Sequence, residues 1–217
     1  MPTASVDSSG TELFFTDTGP VRGAHNYTTL VIVHGIAFTG ETFHRLLPYG
    51  KRDKVRVVVV NRRQYDGSSK YSDAELQAIN SGHASVLRKL ALEVANFLVW
   101  FVRTQNIPLP TENKRAGGIC LMGWSLGTVS CLSLLSHPGI VPKIVHSKLQ
   151  NYLRKIILYD PPHCAFGYEK PDQAYDPFQD AGFADNMGAA FDHFCYWATA
   201  SFDHRGLATR STSDLDF

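Results

Sequence analysis

The residues best suited to chemistry are Gly123-Trp124-Ser125-Leu126-Gly127, a glycine-x-serine-x-glycine run. An apolar stretch, Gly118 to Trp124, enters it, and a helical stretch from about Leu126 to Leu135 leaves it. That order reads as strand, tight reversal, helix. So sharp a reversal forces its central residue into a strained backbone. It leaves no room for side chains two positions before and after, where the two glycines stand. The Ser125 hydroxyl is then expected at the carboxyl rim of a sheet. It also sits at a helix start, where free N–H groups and the helix dipole favour developing negative charge. Ser125 is therefore the candidate nucleophile. The bland alternative is a buried serine that opens a helix.

His34-Gly35-Ile36 is the second signal, at the end of an earlier apolar run. Acyl-transfer sites of this kind hold the oxyanion with two backbone N–H groups. One belongs to the residue after the nucleophile, here Leu126. The other comes from the loop after the third strand, here Ile36, with Ala37 as the next choice. Such donors contribute roughly 3 kcal/mol of transition-state stabilisation each.

These residues need a frame. Thr28 to His34, Val55 to Asn61, Gly118 to Trp124 and Arg154 to Tyr159 are short apolar or β-branched runs, as expected of strands buried on both faces. Thr11 to Asp17 is strand-like, with Val6 to Ser8 as its expected hairpin partner and Thr18-Gly19-Pro20 as a turn. Phe43 to Leu47 reads as a short helix and Asn61 to Ser72 as a polar loop. Ala74 to Thr104 is mostly helical, with Leu87, Leu90, Ala91, Val94, Leu98, Phe101 and Val102 on one face. Apolar strands alternating with helices predict an α/β domain with a mostly parallel sheet and helices on both faces.

His34-Gly35, the Asn61-Arg62-Arg63-x-Tyr65-x-Gly67-Ser68-Ser69 loop and the Ser125 reversal, in that order and spacing, resemble the α/β-hydrolase superfamily, with a lipase- and esterase-like texture. The resemblance covers about Val6 to Pro162 and implies strand order 1-2-4-3-5-6. It implies a serine that attacks an acyl carbonyl after a histidine takes its proton, with a carboxylate orienting that histidine. It makes His34 a structural histidine beside the oxyanion loop. It also implies two more strands carrying acid and base. No strand pattern follows Asp160, so the chain is expected to lack those two strands and the triad histidine, and to have little or no activity. Residues 1–162 are expected to form the core and 163–217 the start of an irregular, partly helical cap, with a helix near Ala189 to Thr199.

Asp160 closes the last strand, where some members of the superfamily carry the acid. Equally, it can be a polar residue before the Pro161-Pro162 turn. His163, His193 and His204 are the downstream candidates for a base, but His163 lies too near the strand end to reach back easily, and His193 and His204, in the cap-like tail, read more readily as solvated histidines. Arg62 and Arg63 either bind an anion at the site's mouth or anchor their loop. Trp124 and the aromatics Phe178, Phe183, Phe191, Phe194, Tyr196, Trp197 and Phe202 either line an acyl pocket or pack a cap.

Composition narrows the partners. Lys plus Arg is 21, Asp plus Glu is 20 and the net charge is +1, giving no reason to expect nucleic acid. Hydrophobic residues at 44% are ordinary for a folded soluble domain. The four cysteines, Cys120, Cys131, Cys164 and Cys195, form no CxxC pair and match no zinc spacing. No metal or cofactor is expected. Neither the Rossmann glycine fingerprint nor a P-loop is present. An epoxide hydrolase or dehalogenase would carry aspartate at 125. The expected partner is a small acyl substrate, with self-association through an exposed sheet edge as a further expectation. Leu90 to Val102 is too short and interrupted to span a bilayer, and the amino terminus has no secretory pattern, so a cytoplasmic location is expected. The rival to an enzyme is a non-catalytic hydrolase-like fragment or binding protein.

Overall fold

A computed structural model describes residues 2–170, Gly182 and 186–199. The chain divides into two compact units, Met1–Tyr168 and Glu169–Phe217. The division falls after Tyr168, not after Pro162, because a 3₁₀ turn, His163–Phe166, packs on a helix of the first unit.

The first unit is built on a six-stranded sheet. Its strands are β1 (Thr3–Ser5), β2 (Glu12–Asp17), β3 (Thr28–Val33), β4 (Val55–Val60), β5 (Ile119–Trp124) and β6 (Leu153–Tyr159), in the order β1-β2-β4-β3-β5-β6. β1 and β2 are antiparallel to their neighbours, whereas β4, β3, β5 and β6 run parallel. β3 occupies the centre because Leu30 to Val33 are apolar on both faces. Val31 and Val33 pack to one side with Val58, Val60 and helix α3 (Ser85–Thr104). Ile32 packs to the other with Val57, Val59, Phe43 and Leu47. Period-two alternation in the strands thus feeds two apolar layers. Phe15 of β2 meets Phe97, Trp100 and Phe101 of α3 edge-on, at centroid distances of 5.6, 5.6 and 6.0 Å. Cys120 and Cys131 are buried free thiols. β6 pairs with β5 on one side, and among the described residues no strand pairs with its other side.

Several elements differ from the sequence expectation. The hairpin partner is Thr3–Ser5, not Val6 to Ser8. Asp7 Oδ1 accepts the amides of Ser9 and Thr11 at 2.9 Å each, which makes residues 7–11 the turn. The helical stretch from 74 divides into α2 (Asp73–Asn80) and α3, because Gly82 between them has φ +62°. Leu87 leaves the expected apolar face and is exposed. The short helix expected at Phe43 to Leu47 is a 3₁₀ turn, Gly40–Leu46, running into α1 (Leu47–Arg52). The helix after Ser125 is α4 (Gly127–Ser133), and a further helix, α5 (Lys143–Gln150), lies where the sequence shows no helical pattern.

The loop after β4 is polar but firmly tied. Ser68 Oγ accepts from the Phe14 amide and donates to Asn61 O, and Asn61 Oδ1 accepts from the Gly40 amide. Buried Arg63 forms ion pairs with Glu75 and Glu93 and lies 4.4 Å over the Tyr71 ring.

In the second unit the described element is α6 (Met187–Thr199). Asn186 Oδ1 accepts from the Ala189 amide at its start. Phe191, Phe194 and Trp197 follow one another at three-residue spacing, with ring centroids 6.5 and 6.2 Å apart. Phe178, Phe183, Phe202 and His204 lie outside the described residues. Among the described residues no helix is long and apolar enough to cross a membrane.

Candidate functional site

Parallel register gathers the site. Val33 of β3 is opposite Val60 of β4 and Gly123 of β5, and Trp124 is opposite Tyr159 of β6. The residues that follow each strand therefore emerge on one carboxyl rim: His34-Gly35, Asn61-Arg62, Ser125 and Asp160.

Ser125 has φ 50°, in the left-handed region that costs any residue with a Cβ. It is held there at both ends. Its amide donates to Tyr159 O at 2.9 Å, and its carbonyl accepts from the Thr128 amide at 3.0 Å and Thr128 Oγ1 at 2.6 Å. The glycines around it are sterically required. A Cβ at Gly123 would lie 2.6 Å from Thr128 Cα, and one at Gly127 would lie 2.2 Å from Val33 O. Gly35 packs so close that its Cβ would stand 2.9 Å from Ser125 Cβ. Ser125 is half-buried, and its hydroxyl makes no hydrogen bond with the described residues.

His34 is fully buried beneath this rim. Its Nδ1–H donates to Gly35 O at 2.8 Å, and Nε2 accepts from the Arg62 amide at 3.0 Å. One ring nitrogen donates and the other accepts, which is the neutral imidazole. Burial pushes its pKa down, the Gly35 carbonyl works the other way, and the Arg62 charge lowers it further, to about 4. Because the folded value lies below the unfolded one, this stability is present above about pH 6.5 and is lost as pH falls towards 4. Urea unfolding should therefore show about 2 kcal/mol less stability at pH 5 than at pH 7.5 from this ring. A slope undiminished in His34→Gln would assign that loss to other groups.

Of the expected oxyanion donors, neither the Ile36 nor the Leu126 amide has an acceptor among the described residues. The next choice, Ala37, is already engaged: its amide donates to Tyr65 Oη at 3.1 Å. Arg62 Nη1 donates to Gly35 O at 3.3 Å, whereas Arg63 anchors its loop to carboxylates. Tyr65 stands in the loop that carries the family resemblance, and no pattern in the sequence marks its contact with Ala37. Asp160 also has a left-handed φ, 48°, and is exposed. No hydrogen bond or ion pair joins Asp160 or Ser125 to a histidine among the described residues. His163 lies in the 3₁₀ turn just after β6 and His193 on α6. No cluster of three or more His, Cys, Asp or Glu suited to a metal occurs among the described residues.

Residues 30–214 match the model of the alpha/beta hydrolase family. No curated protein matches the sequence. Among solved structures, a provisionally assigned aryl esterase from Burkholderia cenocepacia aligns at TM-score 0.55 and 16% identity, over 88% of this chain and 57% of its own. A bromoperoxidase from Bacillus anthracis aligns at TM-score 0.46 and 14% identity, over 72% of this chain and 43% of its own. An esterase from Exiguobacterium antarcticum aligns at 0.46 and 17%, over 73% and 44%. The chain thus spans less than half the length of the last two. Strand order, rim geometry and family match agree: this chain is a member of the alpha/beta hydrolase family.

Proposed function

We propose that the chain carries the nucleophile and oxyanion half of a serine hydrolase acting on carboxylic esters or related acyl bonds. Ser125 Oγ attacks the acyl carbon while its proton passes to a base. The carbonyl oxygen, now negative, is received by the Ile36 and Leu126 amides. Collapse expels the alcohol with a proton, and water then releases the acid from acyl-Ser125. Two amides aimed at one oxygen contribute roughly 3 kcal/mol each. Asp160, beside Ser125 at the end of the neighbouring strand, is the candidate acid. The region from 163 onward is the candidate cap, and the substrate is a small acyl compound. This chemistry calls for no metal or cofactor. Serine at 125, where epoxide chemistry would need aspartate, favours acyl transfer within the family.

One observation carries this reading. Ser125 is held in a left-handed conformation between β5 and α4, against Gly35, with the Ile36 and Leu126 amides unclaimed by the described residues. The second reading is a non-catalytic hydrolase-like protein. It is favoured by the Ser125 hydroxyl having no histidine partner among the described residues. A fluorophosphonate probe separates the two. Labelling of the folded chain that maps to Ser125 and disappears in Ser125→Ala is expected for the hydrolase. Folded protein that takes up no probe would leave the non-catalytic reading.

A further inference from the structure

Two consecutive amides, Ile36 and Ala37, follow Gly35 at the rim, and an oxyanion site needs one of them. On the acyl-transfer reading of Ser125, we propose that Tyr65 is a positioning residue whose hydroxyl occupies the Ala37 amide and so commits the Ile36 amide to the substrate oxygen.

The loop is braced on both sides of Ile36. On the near side, Gly35 O accepts from His34 Nδ1 at 2.8 Å and from Arg62 Nη1 at 3.3 Å. The Gly35–Ile36 peptide is planar and trans, so fixing its carbonyl also fixes its N–H in the opposite direction. On the far side, Ala37 has φ 63°, a conformation unfavourable for a residue with a Cβ. Its N–H is held by Tyr65 Oη at 3.1 Å. The Ile36 amide between them has no acceptor among the described residues.

Tyr65 is itself seated for this task. Its ring meets His34 edge-on at a centroid distance of 4.5 Å and an interplanar angle of 78°. The Arg62 guanidinium lies 5.8 Å from the ring centroid. A turn holds its backbone, with the Tyr65 amide donating to Arg62 O at 3.3 Å and Tyr65 O accepting from the Ser68 amide at 3.1 Å. One tyrosine therefore reads both the buried histidine and the strained loop. If Ala37 were released, its amide could also turn towards the site, and the Ile36 amide would be braced only on the near side, through Gly35 O.

Tyr65→Phe keeps the ring on His34 and removes only the oxygen. Inactivation by an alkyl fluorophosphonate supplies the readout. Ser125 Oγ bonds to phosphorus, fluoride leaves, and the hydroxyl proton passes to base or solvent. The phosphoryl oxygen takes the place of the acyl oxygen. Rates measured across probe concentrations give a limiting rate and a half-saturating concentration. Losing an oxyanion donor outright costs about a hundredfold or more, so misaiming one should lower the limiting rate about tenfold. The half-saturating concentration should stay within about twofold, because ground-state binding is untouched. Amide exchange followed by NMR gives a second readout that needs no labelling. Ala37 should exchange more slowly than Ile36 in the wild type and lose about tenfold protection in Tyr65→Phe.

An unchanged limiting rate in a labelled variant would overturn the role of Tyr65 and leave Ser125 as nucleophile. A raised half-saturating concentration with an unchanged limiting rate would assign Tyr65 to binding and likewise overturn it. Wild-type protein that stays unlabelled while Ala37 responds as expected would remove the Ser125 reading, and this role with it.

Discussion

Gly127→Ala is expected to destabilise the fold by about 4 kcal/mol, at the severe end for a single substitution, and to lower the melting temperature by roughly 8–16 °C. Helix propensity alone predicts the opposite, since alanine within a helix is favoured over glycine by about 1 kcal/mol. Packing decides the sign. The added Cβ would lie 2.2 Å from Val33 O and 2.6 Å from His34 O. Both are backbone atoms, and no rotamer change moves them. Val33 is paired on both sides, with Val60 and Gly123, so β3 cannot retreat without opening the centre of the sheet. α4 would have to lift instead, pulling Thr128 off the Ser125 carbonyl. Gly139→Ala is the control, because its Cβ would meet nothing nearer than 3.6 Å, at the His137 side chain. Thermal unfolding of the two variants measures the contrast. Equal melting temperatures would mean that α4 lies farther from β3 than the structure places it.

The same contact explains why this part of the site was legible in the sequence. A strand-to-helix reversal that tight admits only glycine at 123 and 127, so residue type reports geometry directly. The central strands were legible for a related reason. Strands buried on both faces need largely apolar or β-branched runs, and 28–33, 55–60 and 119–124 supply them, with Arg56 in β4 buried against Asp17. Elements that bury little leave little trace. α5 buries only Leu149, and its apolar residues form no long repeat, so nothing marked it. The position of β1 is masked in the sequence because Val6 is buried and looks like strand, while the turn is made by the Asp7 side chain. Tyr65 illustrates the harder limit. A tyrosine five residues after the end of β4 is visible in the sequence, but which amide its hydroxyl meets depends on where two separate loops cross the rim.

Arg63→Met is expected to cost about 3 kcal/mol at pH 8, the scale for breaking a buried ion pair by removing one partner. Arg63 and Glu93 are both buried, and the Arg63 side chain also contacts Glu75 and Lys70 O. Burial raises the pKa of Glu93, and the Arg63 charge works against that rise. Without Arg63 the carboxylate must either stay charged without that partner or take up a proton. A folded pKa raised above the unfolded one means stability that is present at low pH and lost as pH rises through the folded value. The penalty of Arg63→Met should therefore be largest at pH 8 and shrink as pH falls towards 5, where a proton replaces the lost partner. Adding Glu93→Gln should recover part of the loss at pH 8 and flatten its pH dependence. The damage should also spread to α2. Glu75 closes the capping box at its start with Ser72, and Arg63 binds both Glu75 oxygens, so hydrogen exchange over residues 73–80 should quicken. This outcome opposes the other role the sequence allowed for Arg63, capture of an anion at the mouth of the site. A receptor for anions would leave stability nearly unchanged on losing its charge, and wild-type protein would gain stability from added phosphate. A cost below about 1 kcal/mol that is independent of pH would favour that role over the anchor.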